Sequence, residues 1–151
     1  MLQIKTLIPA FLLLLITGCK RTNETENQAA VLTGKWKLVQ MVNEQNGTVT
    51  LPPAYAQRLI AITFRTDGTF TGNTIVNDIA GTYKVENGKD LDIMLGFVTK
   101  INEDDWGRDF CDVLMSCHYQ SLYPCIKPSY EIKNGQLIIH SVADFDLILE
   151  R

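Results

Sequence analysis

The chain has 151 residues, with 17 acidic side chains against 14 basic ones and a formal net charge of −3. It lacks the basic excess that nucleic-acid-binding faces need, so nucleic acid is not an expected partner. Its length suits one modest core and not two.

The N-terminus carries the most specific signal. Lys5 precedes an apolar run from Leu7 to Ile16, which leads into Ile16-Thr17-Gly18-Cys19. A short basic start, an apolar stretch too short to span a bilayer and small residues before a cut predict a signal peptide over residues 1–18. The last four residues resemble the bacterial lipobox, whose cysteine is diacylated, freed by cleavage and acylated again on its new N-terminus. That resemblance implies lipidation of Cys19 and a membrane partner held through the lipid. Several chains are needed for a stable hold, because one acyl chain binds a membrane only marginally. The rival readings are an ordinary secretory signal and a membrane anchor with an accidental cysteine.

From Lys20 to Gln28 no apolar residue occurs. Such a stretch cannot bury enough surface to offset its ordering entropy, so residues 19–33 are predicted to be the lipidated cysteine and a flexible tether. The folded domain is expected over residues 34–151.

Four Asx-Gly pairs punctuate that domain: Asn46-Gly47, Asp67-Gly68, Asn87-Gly88 and Asn134-Gly135. Each favours the positive backbone angles of tight hairpins. The segments between them predict strands at Trp36 to Val42, Ile60 to Arg65, Thr69 to Thr74, Thr82 to Val85, Asp90 to Leu95, Tyr130 to Lys133, Gln136 to His140 and Phe145 to Leu149. Alternation in Ile60, Ile62, Phe64 and in Leu91, Ile93, Leu95 marks strands with one buried face. The expected fold is mainly β (α+β): an antiparallel meander of about eight strands, barrel-like or strongly curled. One amphipathic helix is packed on it. Trp106, Phe110, Val113, Leu114 and Cys117 place that helix over Asp104 to Cys117, with Asp104 or Asp105 as N-cap. Pro52-Pro53-Ala54-Tyr55 reads as a stiff loop holding an aromatic, a lid or a binding loop.

The stretch Phe70-Thr71-Gly72-Asn73-Thr74-Ile75-Val76-Asn77-Asp78-Ile79-Ala80-Gly81-Thr82-Tyr83 resembles the signature of the META domain family, which includes HslJ-like bacterial lipoproteins. Gly72, Asn77, Gly81 and Tyr83 carry it. Thr99-Lys100-Ile101 sits where the family has a Thr-rich strand end, and Tyr130-Glu131-Ile132 with Gln136-Leu137-Ile138 is similar to its closing hairpin. The resemblance implies stress-related, non-catalytic roles in envelope integrity. There is one departure. Many members have a cysteine just before the asparagine, paired with one after the threonine strand; Val76 and Ile101 or its neighbours stand there instead, so the family disulfide is in doubt. The signature residues themselves read as architecture: Asn77 holding a bend, the glycines allowing close approach or positive φ, Tyr83 packing its ring with the hydroxyl outward.

Gly34-Lys35-Trp36 is similar to the Gly-x-Trp signature of lipocalin-like domains, where the tryptophan closes one end of a ligand-holding barrel. Trp36 and Tyr55 are therefore candidates for a ligand site or its lid. Large inward side chains at Trp36, Ile62, Phe64, Leu91, Ile93 and Leu95 would fill the barrel; small ones would leave room for a small apolar ligand.

Cys111, Cys117, His118 and Cys125 form a cluster with zinc-ligand chemistry but without Cys-x-x-Cys spacing. In an oxidising compartment the expectation is a disulfide from Cys125 to Cys117 or Cys111, with no metal. His140 is expected to be an exposed strand residue, and Glu103-Asp104-Asp105 a favourable charge at a helix N-terminus. No nucleophile motif such as Gly-x-Ser-x-Gly occurs, so neither an enzyme nor a cofactor is expected. The leading expectation is a lipid-anchored, non-catalytic META-like envelope protein, facing the periplasm or cell surface and acting through protein or envelope contacts. Lys20 beside Cys19 favours the outer membrane by analogy with lipoprotein sorting. The alternative is a lipocalin-like carrier of a small apolar ligand.

Overall fold

A computed structural model of the chain describes residues 30–99, 101–115, 126–141 and 145–151. Nine strands and one longer helix follow in the order β1 (Gly34–Asn43), β2 (Val49–Thr50), β3 (Ala61–Phe64), β4 (Thr69–Asn73), β5 (Asp78–Glu86), β6 (Asp90–Val98), α1 (Asp105–Leu114), β7 (Ser129–Lys133), β8 (Gln136–His140) and β9 (Phe145–Glu150). Consecutive strands pair antiparallel from β3 to β9, and β1 pairs with both β3 and β9, so the sheet closes into a barrel. Closure removes the open edges that would otherwise invite pairing with other chains.

The hairpins form where the turn chemistry places them. Asn87 and Gly88 both take positive φ, as do Asn134 and Gly135, while at the other two pairs only Gly47 and Gly68 do. Two positive angles match the right-handed twist of the flanking strands, which is why Asn-Gly is favoured there. The expected β3–β4, β5–β6 and β7–β8 hairpins are all present. The sheet has nine strands where eight were expected, because Val49 and Thr50 add a two-residue strand against Met41 and Val42. Two residues before a Pro-Pro pair are too few to show alternation.

The two seams of the barrel differ. β1 and β9 pair from Lys37↔Glu150 to Asn43↔Phe145, with a register shift between Leu38 and Gln40. β6 and β7 share only the Asp90↔Ser129 pair, flanked by Leu91 N–H donating to the Pro128 carbonyl at 2.7 Å and Tyr130 N–H to Lys89 at 2.9 Å. Lys127 reinforces this short seam, its ammonium 2.7 Å from Glu86 and 3.0 Å from Asp92. The same two carboxylates, Glu86 first, raise its pKa.

One core fills the barrel. Trp36, Leu38, Ile62, Phe64, Phe70, Leu91, Ile93, Leu137, Ile139, Leu147 and Leu149 are buried together, with Leu95 packed against them. Trp106, Phe110, Val113 and Leu114 of α1 join the same cluster, so the helix is part of the core and not a separate layer. The helix predicted over Asp104 to Cys117 is described over Asp105–Leu114, and Asp104 is its N-cap, accepting from Gly107 N–H. Packing also reaches back before Gly34. Leu32 is fully buried, its carbonyl accepts the Trp36 indole N–H at 2.7 Å, and Arg151 lies 4.7 Å over the Trp36 ring. The described packing thus extends into the segment assigned to the tether.

Candidate functional site

Asn77 lies in the bend between β4 and β5, and its amide is used completely. Its Oδ1 accepts from Ile101 N–H and Thr99 Oγ1, both at 2.9 Å. Its Nδ2 donates to the Ile101 carbonyl at 2.9 Å and to Glu103 Oε2 at 2.8 Å. The side chain therefore pairs with Ile101 as a neighbouring strand's peptide group would, fastening the chain between β6 and α1 to the β4–β5 bend. Thr74 completes the bend: its hydroxyl accepts from Asn77 N–H at 2.8 Å and donates to Glu103 Oε2.

Thr74 and Asn77 are the buried polar residues of this core. Their satisfaction matters because an unpaired buried polar group costs about 1–3 kcal/mol. Glu103, expected as one of three charges at the helix N-terminus, instead turns inward under Gly107. A Cβ on Gly107 would stand 2.3 Å from Glu103 Oε1, so glycine is what leaves space for the carboxylate. Glu103 Oε1 is buried without a hydrogen-bond partner.

The signature glycines serve close approach. A Cβ on Gly81 would meet the Met94 carbonyl oxygen at 2.0 Å and the Phe70 ring at 2.9 Å; one on Gly72 would meet the Ala61 carbonyl oxygen at 2.5 Å. Tyr83 packs edge-on against Phe64 with ring centroids 4.8 Å apart. Its hydroxyl does not point outward: it donates to the Arg65 carbonyl at 2.7 Å, and burial raises its pKa.

Above this junction a cavity of about 310 Å³ opens to the surface, lined by Tyr55, Gln57, Ile75, Val76, Asn102 and Asp104. Tyr55 is exposed and donates its hydroxyl to Asp104 Oδ2 at 2.7 Å, while Asp104 Oδ1 holds the first turn of α1. That hydrogen bond to an acceptor carboxylate raises the tyrosine's pKa. Arg58 closes the adjoining wall, donating to the Ile75 carbonyl at 2.9 Å and pairing with Asp78 at 2.8 Å. The cleft has an apolar floor in Ile75 and Val76 and a polar rim in Tyr55, Asn102 and Asp104.

The candidates read from sequence fall in different places. Tyr55 lines the cleft, whereas Trp36 is buried in the core and does not. Cys111 is a free thiol, which removes the Cys111–Cys125 alternative from this structure. Burial, helped by Glu103 and Asp112, pushes its pKa up to about 12, so it stays protonated and is a poor ligand or nucleophile. Cys19, Cys117, His118 and Cys125 lie outside the described residues. Sequence reasoning missed Thr74, Thr99 and Glu103 as partners of Asn77. Their separation in the chain hides them; only the small polar residues flanking the bend gave a hint.

A closed antiparallel barrel with a helix built into its core, and an asparagine-locked bend between the fourth and fifth strands, defines the class of protein. Residues 29–100 match the META domain family. The match covers β1 to β6 and includes the Asn77 bend. An NMR structure of a protein from Burkholderia xenovorans is similar in fold, with 18% identity and a TM-score of 0.58 over 83% of this chain and 87% of that one. A crystal structure of a DUF4847 family protein from Bacteroides vulgatus is similar at 16% identity, with a TM-score of 0.53 over 79% of this chain and 92% of that one. No curated protein matches the chain. Among the described residues, no helix is long and apolar enough to cross a membrane.

Proposed function

We propose that this is a lipid-anchored envelope protein, held through acylated Cys19, whose barrel presents the Tyr55 cleft to a protein partner in a stress-tolerance role. The observation that carries the contact reading is a barrel filled by its own side chains beside an open surface cleft. Large residues occupy the inward positions that a lipocalin-like carrier would keep small, so the carrier alternative loses its main support.

Strand register gives the anchor a consistent geometry. Gly34 pairs with Phe64, and Ala61 pairs with Asn73. The start of the described chain therefore lies at the Phe64 end of β3, and the cleft lies beyond its Ala61 end. Three strand steps, roughly 10 Å, separate these ends. The described chain thus starts at the end of the barrel opposite the cleft.

Two measurements in a bacterial host test this reading. Radiolabelled palmitate should enter the full chain and be lost with Cys19→Ser; equal labelling of both would overturn the anchor. A photo-crosslinker in place of Gln57 should capture a discrete protein adduct, and one in place of Thr66 should not. No adduct from the Gln57 position would overturn the contact role.

A further inference from the structure

We propose that His140, Asp146 and Glu44 form a divalent-cation site suited to zinc on the outer wall of the barrel, with Glu131 orienting the histidine.

The topology brings these residues together. Leu137 and Ile139 face inward on β8, so alternation turns His140 outward; Leu147 and Leu149 do the same for Asp146 on β9. β9 is the shared neighbour of β8 and β1, and Glu44 directly follows the end of β1. One ligand atom from each of the three residues lies within 4.8 Å of the others. His140 Nδ1 is 2.9 Å from Asp146 Oδ2 and 4.0 Å from Glu44 Oε1. Its Nε2 faces Glu131 Oε1 at 3.8 Å, from the adjacent strand β7.

Three features favour a metal over a plain ion-pair cluster. Asp146 Oδ1 is buried and has no hydrogen-bond partner, which leaves a costly unsatisfied acceptor on one residue of the cluster. Three carboxylates, Glu44, Glu131 and Asp146, stand round one imidazole, so acidic charge is in excess there. A divalent cation relieves the repulsion among them. Finally, coordination through Nδ1 leaves Nε2–H directed at Glu131, the carboxylate–histidine–metal arrangement that fixes tautomer and ring orientation.

The donor set selects the ion. Zinc takes nitrogen and carboxylate ligands at about 2.0–2.2 Å, so donors stand roughly 3.3 Å apart. The His140–Asp146 spacing already suits this, and the half-exposed Glu44 side chain has to move about 1 Å. An imidazole ligand disfavours calcium and magnesium, which prefer all-oxygen shells. Three protein donors leave a fourth position to water. Bound there, zinc would join β8, β9 and the end of β1 across the long seam.

The test titrates zinc into the metal-free full chain in detergent, read by competition with a chromogenic chelator and by thermal unfolding. Cys117→Ser/Cys125→Ser is tested alongside, because thiolates also bind zinc. One zinc per chain and a raised melting temperature are expected, unchanged in the cysteine variant. His140→Ala and Asp146→Asn should each weaken binding at least tenfold, and Glu131→Gln less. Glu44→Gln, at an exposed position that leaves the fold intact, should also weaken it tenfold and decides the matter if the other variants fold poorly. Absence of binding, or binding lost only in the cysteine variant, overturns the proposal.

Discussion

The Asn77 junction and the His140 cluster both gather polar residues from distant parts of the chain, but they satisfy them in opposite ways. At Asn77 a neutral amide meets backbone groups of Ile101 whose positions the fold fixes, so each donor has its acceptor. At His140 the partners are Glu44, Glu131 and Asp146, all anionic when ionised, gathered on the outer wall. The buried site reads as architecture and the outer one as a place for an ion. Breaking the first should cost stability, whereas breaking the second should cost binding.

The largest expected loss comes from Gly81→Ala. Its Cβ would fall 2.0 Å from the Met94 carbonyl oxygen, which is backbone and cannot swing aside. The β5 and β6 strands would have to part near the register shift between Ala80 and Gly81. We expect a loss of about 4 kcal/mol in urea unfolding. A loss below about 1 kcal/mol would show that the bulge absorbs the extra atom.

Asn77→Ala should come next, at about 3 kcal/mol, because it strands the Ile101 N–H and carbonyl together with Thr99 and Glu103. Unchanged melting would show that these hydrogen bonds add nothing net to stability and would remove the contrast with His140. The cysteine pair that the family resemblance would place just before Asn77 and near Ile101 is absent from this sequence, where Val76 and Ile101 stand. In this chain the adjacent Asn77 amide joins the same two stretches without a covalent bond.

Local chemistry made most of the barrel legible. Asn87-Gly88 and Asn134-Gly135 named their hairpins because their backbone angles are set by those residues alone. The helix was legible from Trp106, Phe110, Val113 and Leu114, which recur on one face. Strand ends were less so: β5 starts at Asp78, four residues before the predicted Thr82, because Asp78, Ala80 and Gly81 break the apolar alternation. Closure of β1 on β9 and the pairing of Asn77 with Ile101 depend on residues far apart in the chain, and no local pattern encodes them. His140, expected to be an exposed strand residue, lies on β8 but is partly buried, and its three carboxylate neighbours come from other strands and the turn after β1.

Tyr55→Phe probes the rim of the cleft and should have a small effect. It removes one exposed hydrogen bond to Asp104, while Asp104 Oδ1 still caps α1 by accepting from Gly107 N–H. Thermal unfolding should shift by no more than a few degrees. A loss as large as that of Asn77→Ala would mean that the Tyr55 loop is structural and not a free binding rim.

The smallest effect, and the one that separates two kinds of surface carboxylate, is pH dependence. Asp67 accepts from the Thr69 hydroxyl at 2.6 Å and its N–H at 2.9 Å, and these bonds, the hydroxyl first, lower its pKa. Its unfolded form binds protons more readily, so its contribution is present above the unfolded pKa and is lost as pH falls through the folded value. Asp109 on α1 has the opposite sign. Burial chiefly, then Asp112 and Asp105, raise its pKa, while Arg108 opposes them. The folded state holds that proton more tightly, so its contribution is present in acid and is lost as pH rises through the raised folded value. Asp109→Asn should therefore flatten the decline in stability as pH rises above about 4, and Asp67→Asn the decline as pH falls below about 4. Unfolding midpoints across that range give both slopes. If Asp109→Asn leaves its slope intact, the acidic face of α1 is solvated, and the decline comes from another raised carboxyl such as Glu44, which carries the same sign.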